Sequence, residues 1–98
     1  MAKISQKKWK NPDSDHLFET VLRLKKLDDT YKFFRDLLTE KEITEFSRRW
    51  KVARMLNKKV SYAKIEYETG MSSTTIARIH RWLKRGTGGY QLMLKRLK

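Results

Sequence analysis

The chain has 98 residues, 24 of them lysine or arginine against 11 aspartate or glutamate, giving a formal net charge of +13, and it contains no cysteine. A single domain of that size buries only about 60–65% of the surface its unfolded chain exposes, so dimerisation would add stability. The missing cysteine excludes a disulfide framework, a thiolate nucleophile and a cysteine-based zinc site, while the charge calls for an acidic partner, nucleic acid first and an anionic membrane surface second.

The first twelve residues read as a basic arm. Lys3, Lys7, Lys8 and Lys10 stand there without an acidic neighbour, and Trp9 is its one large ring. Either the arm is a disordered tail, or it lies along phosphates or in a minor groove with Trp9 on a partner subunit or on sugar and base edges. Pro12 closes it, because proline is tolerated at a helix start but not inside a helix. Nothing in the arm has the apolar core of a signal peptide, and no run in the chain approaches the roughly 18 apolar residues of a membrane span, so a cytoplasmic protein without a membrane partner is expected.

Residues 13–98 read as an all-α domain of about six helices, since one proline and four glycines leave little room for strands or long loops. A helix is expected from Asp15 to about Leu27, and its apolar residues Leu17, Phe18, Val21, Leu22, Leu24 and Leu27 cover more than one stripe. Asp28 and Asp29 can cap the next, where Tyr31, Phe33, Phe34, Leu37 and Leu38 crowd about three turns. Two-sided apolar helices in a small domain are either plain core or part of a dimer interface. Thr39 and Glu42 then have the T-x-x-E spacing of a capping box, opening a helix on which Ile43, Phe46, Trp50, Ala53 and Leu56 recur at helical steps before it ends near residues 57–59.

From Ser61 to about Leu83 the chain reads as a helix-turn-helix. Ser61 is a good N-cap, Ile65 the inward residue of a two-turn helix, and Gly70 the stop, free to take a left-handed turn. Met71 plugs that turn. Ser72 or Ser73 caps a second helix whose Ile76, Ile79 and Leu83 form a buried stripe. Ser73, Thr74, Ala77, Arg78 and Arg81 fall on the opposite face, which is small, hydroxylic and arginine-bearing as a major groove requires. An ordinary helical hairpin has the same outline. A glycine-rich connector, Gly86 to Gly89, and a short closing helix from Tyr90 to Leu97 complete the chain.

Charge distribution sharpens the choice. Residues 1–12 carry four lysines, residues 13–47 six basic and nine acidic groups, and residues 48–98 fourteen basic and two acidic. The positive charge therefore sits on the motif and the arm, which is the footprint of a nucleic-acid face. Base edges would be reached by Ser73, Thr74, Arg78 and Arg81, with Lys64 near the groove rim. Phosphates would be held by Arg54, Lys58, Lys59, Ser61, Tyr62, Lys84 and Arg85. Catalysis has little to stand on: His16 and His80 are the only histidines, the carboxylates gather at helix starts, and no metal-ligating cluster can be assembled. His16 reads as a surface residue, and His80 as one that touches phosphate or solvent. Binding double-stranded DNA as a sequence-specific regulator is the reading favoured here. A sequence-tolerant architectural protein and a protein-interaction module that does not bind DNA are its rivals.

The segments LTEKEI, RRWKVARMLNKK, SYAKIEYETGMSSTTIARI and KRGTGGY, with weaker similarity back through HLFETVLRLKKLDDTYKFFRDLL, resemble the Trp repressor superfamily, in particular its short Trp-repressor-like (YerC/YecD) branch. The resemblance implies an intertwined all-helical homodimer acting as a repressor at a palindromic operator. It also implies an effector pocket, in which Thr39, Arg49 and Arg78 match polar residues that line the tryptophan site. Ile79 and Trp82, however, stand where the repressor has a glycine and a serine. Bulky side chains there would fill the pocket, so tryptophan is not expected as an effector, and no other cofactor is expected.

Overall fold

The structure is a computed structural model, and it describes residues 8–97; Lys3 and Lys7 of the basic arm lie outside the described residues. Six helices and no strand occur among those residues: α1 Pro12–Val21, α2 Leu27–Leu37, α3 Glu40–Asn57, α4 Tyr62–Thr69, α5 Ser73–Arg85 and α6 Gly89–Arg96. They fall into two compact units, the first ending at Thr39 and the second beginning at Glu40.

In the first unit, α1 starts three residues earlier than the sequence reading placed it. Asn11 is the N-cap, its side chain accepting the Ser14 N–H while the Ser14 hydroxyl accepts the Asn11 N–H, and Pro12 occupies the first turn where its missing donor costs nothing. The helix also ends earlier, at Val21, where the Arg23 and Leu24 N–H groups turn back to the carbonyls of Thr20 and Val21. Leu22 and Leu24 therefore belong to the connection and not to a helical stripe. Asp28 and Asp29 do not cap α2. Its N-cap is Lys26, without a side-chain cap, and the two aspartates lie in the first turn, where the helix dipole favours them. Lys10, read as lacking an acidic neighbour, forms an ion pair of 2.8 Å with Asp15, because the capped turn brings that carboxylate back over the arm. Trp9 meets the edge of Phe18 at 6.4 Å between ring centroids and stays largely exposed. Neither helix has a buried residue, and Phe18, Leu22, Leu27, Tyr31 and Leu37 are all exposed.

The second unit holds the core. Val52, Ala53 and Leu56 of α3, Ile65 of α4, Met71 of the turn, and Ile76, Ile79 and Leu83 of α5 form one buried cluster, with Trp50, Met55, Val60, Tyr62, Tyr90 and Leu94 packed around it. Helices α3, α4 and α5 contact one another pairwise and α6 packs on α5. Each fully buried aliphatic side chain, Val52, Ile65, Ile76 and Ile79, contributes about 1.5–3 kcal/mol relative to exposure. The expected α3 stripe is only half right: Ala53 and Leu56 are buried, but Phe46 is exposed, and Val52 joins the core. Only the C-terminal half of α3 carries buried residues. Gln91 Nε2 donates to the Leu83 carbonyl at 2.6 Å and so ties α6 to the last turn of α5.

Candidate nucleic-acid interface

Three local devices fix the two helices of the motif. Ser61 caps α4, its hydroxyl accepting the Lys64 N–H at 3.2 Å, and Ser72, not Ser73, caps α5 by accepting the Thr75 N–H at 3.2 Å. Between them Gly70 has φ +73°, a left-handed conformation that a Cβ would penalise by roughly 1–2 kcal/mol. The third device was not visible in the sequence. Thr69 is buried, its hydroxyl donates to the Ile65 carbonyl at 2.7 Å, and its oxygen accepts the Met71 N–H at 3.2 Å, closing the turn over the core. With Ser72 as N-cap, Ser73 is left free to face outward as the first residue of α5.

On α5 the buried stripe of Ile76, Ile79 and Leu83 forces the residues between them outward. Ser73, Thr74, Ala77, Arg78 and Arg81 surround one shallow depression of about 480 Å³, together with Tyr62 from α4. The structure thus gathers four of the five expected base-reading residues on one surface, and Ser73, Thr74, Arg78 and Arg81 are all exposed there. Lys64, the fifth, is exposed on α4 and lies 3.9 Å from Glu68. Exposed pairs of this kind contribute little, so its ammonium remains available to a phosphate.

The expected phosphate-holding residues divide into groups. Lys84 and Arg85 end α5, where cations are favoured by the dipole, and share a surface with Ala77, His80 and Arg81. Lys59 and Tyr62 border a separate groove that Lys84 also reaches. Arg54 and Lys58 are exposed at the end of α3, and Ser61 is used as a cap. His80, read as touching phosphate or solvent, also has a partner within the chain. It is half-buried, and its Nδ1 shares a 2.8 Å hydrogen bond with the Tyr62 hydroxyl, their rings meeting edge-on at 5.9 Å. The Tyr62 hydroxyl is accordingly occupied in joining α4 to the reading helix, which also limits it as a phosphate ligand. Spacing along the chain could not show this pairing, because it joins residues 18 apart.

Lys59 has φ +62° and is the only non-glycine residue with positive φ among the described residues. It is the left-handed residue that ends α3: the Val60 N–H donates to the Met55 carbonyl at 3.0 Å and the Lys59 N–H to Leu56 at 2.9 Å, the hydrogen-bond pattern of a Schellman motif. Glycine is the usual occupant of such a position, so the lysine is kept at a conformational cost.

Of the residues matched to an effector pocket, the four in the second unit take different places within it. Arg49 and Trp82 line an apolar groove of about 730 Å³ with Trp50, Tyr90 and Met93, where Trp50 and Tyr90 stack at 6.0 Å. Ile79 is absent from that groove because it is fully buried in the core, and Arg78, one residue earlier, faces the reading surface. Thr39 is the last residue of the first unit. Arg49 is engaged by Glu45 at 3.5 Å and lies 5.6 Å over the Phe46 ring. Burial of the Tyr90 phenol raises its pKa above the ordinary tyrosine value, with the nearby Arg49 charge acting in the opposite sense. Among the described residues, no group of three or more histidine, aspartate or glutamate side chains could hold a metal ion, and no helix is long and apolar enough to cross a membrane.

A capped two-helix motif, a left-handed glycine between its helices and a basic outer face on the second define an all-α helix-turn-helix domain. The family model described as Trp repressor protein matches residues 13–98, and the chain belongs to that family. It is 44% identical over 91 residues to the uncharacterized protein YerC of Bacillus subtilis (strain 168), an alignment covering 93% of this chain and 88% of YerC. The crystal structure of a TrpR-like protein from Eubacterium eligens ATCC 27750 is similar with a TM-score of 0.87 and 41% identity, covering 92% of this chain and 93% of that one. A crystal structure from Staphylococcus aureus gives a TM-score of 0.85 at 39% identity, covering 92% of this chain and 90% of that one. The family points to DNA-binding regulators and not to enzymes.

Proposed function

We propose that the protein is a homodimeric, sequence-specific transcriptional repressor of the cytoplasm that binds a palindromic operator in double-stranded DNA. The observation that carries this reading is the outer face of α5, where Ser73, Thr74, Arg78 and Arg81 are exposed together beyond a fully buried isoleucine pair. Hydroxyls at the start of a helix and guanidinium groups farther along the same face supply donors and acceptors that suit major-groove base edges, and Arg54, Lys58, Lys59, Lys84 and Arg85 supply the phosphate contacts beside it. The exposed apolar side chains of the first unit, Leu22 at 82% and Leu27 at 66% among them, support a dimer. On a two-fold dimer of this family type the reading helices would enter successive major grooves about 34 Å apart.

Free tryptophan is not required on this reading. Ile79 fills the core where a small residue would leave space, and Trp82, 40% exposed, already places an indole beside Arg49. A calorimetric titration showing saturable micromolar tryptophan binding would refute that part. The DNA reading is tested by selecting bound duplexes from a random pool at near-physiological salt, with the solution mass measured alongside. A palindromic consensus and a dimeric mass are expected. Salt-dependent binding without a consensus would instead favour a sequence-tolerant architectural protein, and no DNA binding at all would favour a protein-interaction module.

A further inference from the structure

The groove between the end of α3, the start of α4, the C-terminal half of α5 and α6 differs in character from the reading surface. It encloses about 590 Å³, within the range of small-molecule sites. Leu56, Val60, Leu83 and Leu94 form its apolar part, while Lys59, Lys84 and Lys95 line it from three separate parts of the chain. Its lining contains no carboxylate, and none of the three lysines is ion-paired among the described residues. Like charges lining one concavity repel one another, and an anion bound among them lowers that cost. We infer that this groove is a binding site for a phosphate-bearing small molecule, its phosphate held by Lys59, Lys84 and Lys95 and its body resting on the leucines and Val60.

Two further features fit that ligand. Lys59 is held at φ +62°, a conformation that glycine would occupy without strain, and the side chain so retained borders the groove. His80, also on the lining, is fixed through Nδ1 by the Tyr62 hydroxyl. That contact orients the ring and leaves its other nitrogen as the one that can meet a phosphate oxygen.

The site goes beyond DNA recognition, although Lys59 and Lys84 are shared with the proposed phosphate contacts. Competition between the small molecule and duplex is a corollary that rests on the DNA reading; binding of the small molecule does not. Lys95 separates the two, since it borders the groove and is not among the proposed DNA contacts.

The test uses the full chain, titrated by calorimetry with adenosine 5′-monophosphate and, separately, with inorganic phosphate at about 0.15 M salt. The same titrations on Lys95→Gln and on Arg96→Gln, a neighbouring charge outside the groove, control for net charge, and binding to a mixed-sequence duplex is measured for all three proteins. Saturable nucleotide binding is expected, weakened about tenfold by Lys95→Gln and by less than twofold by Arg96→Gln, with duplex affinity of the Lys95 variant within about twofold of the parent. Inorganic phosphate alone should bind more weakly, because it leaves the apolar part uncovered. No saturable binding of either probe would overturn the proposal. Equal losses in the two variants would show general charge attraction and overturn it as well. A silent nucleotide titration combined with lost duplex affinity in Lys95→Gln would make the groove a DNA-backbone contact only. Failure of duplex binding with nucleotide binding intact would refute the DNA reading and leave the site standing.

Discussion

Replacing Lys59 separates what this residue does for the fold from what it does for binding. Its left-handed φ of +62° costs a side-chain-bearing residue roughly 1–2 kcal/mol, and glycine would be free of that cost while losing about 0.5–1 kcal/mol more through the greater freedom of the unfolded chain. The Schellman hydrogen bonds from Val60 and Lys59 are made by the backbone and survive the change. Lys59→Gly should therefore stabilise the protein by about 0.5–1 kcal/mol, raising Tm by a few degrees at this chain length, roughly 4–8 °C per kcal/mol. Lys59→Ala keeps the Cβ and should leave Tm nearly unchanged. Both remove one cation, so both should weaken duplex binding about equally on all sequences and reduce the slope of log K against log salt by about 0.9. Thermal denaturation followed by circular dichroism gives the first quantity, and fluorescence anisotropy between about 50 and 200 mM salt gives the second. Destabilisation by Lys59→Gly would refute the strain argument. Equal salt slopes in parent and both variants would remove Lys59 from the phosphate contacts.

Other expectations follow from the same geometry. Arg78→Ala should cost about 1–3 kcal/mol on the selected operator and relax discrimination at one base position; an equal loss on random duplex would argue against base reading. An added Cβ at Gly70 meets no atom within 4 Å, so Gly70→Ala should cost only the left-handed penalty, roughly 1–2 kcal/mol, whereas an added Cβ at Gly86 would collide with the Trp82 carbonyl oxygen. Gly86→Ala should therefore lower Tm further than Gly70→Ala, and the reverse order would contradict the connector geometry. Because burial raises the Tyr90 pKa, the folded state holds the phenol proton more tightly than the unfolded chain. The associated stability is fully present below about pH 10 and is lost as pH rises through the folded-state value. Denaturant unfolding at pH 8 and at several points above pH 10 should show that alkaline loss, and Tyr90→Phe should reduce it.

Local rules written in the sequence determined much of the motif. Ser61, Gly70 and the serine pair before α5 are short-range signals whose chemistry does not depend on the rest of the fold, and each fixes a helix end where it was expected, Ser72 rather than Ser73 taking the cap. The three- and four-residue spacing of Ile76, Ile79 and Leu83 sufficed to bury one face of α5 and to turn Arg78 and Arg81 outward. At the N-terminal end, Asn11, Pro12 and Ser14 carried an equally local start signal, but the apolar run beyond them gave no sign of where α1 would stop. Tertiary packing decided what depends on several elements meeting. It buried Val52 and left Phe46 exposed on a helix whose periodicity had marked Phe46 and not Val52, paired Tyr62 with His80 across α4 and α5, and placed Arg49 and Trp82 on one groove. In the sequence Lys59 and Lys84 read only as contacts to DNA phosphates, and Lys95 carried no reading. Only the folding of α3, α5 and α6 around one cluster brings them to a single groove. Caps and turns are settled within four or five residues, whereas a site assembled from several helices is fixed by burial energies summed over the whole core.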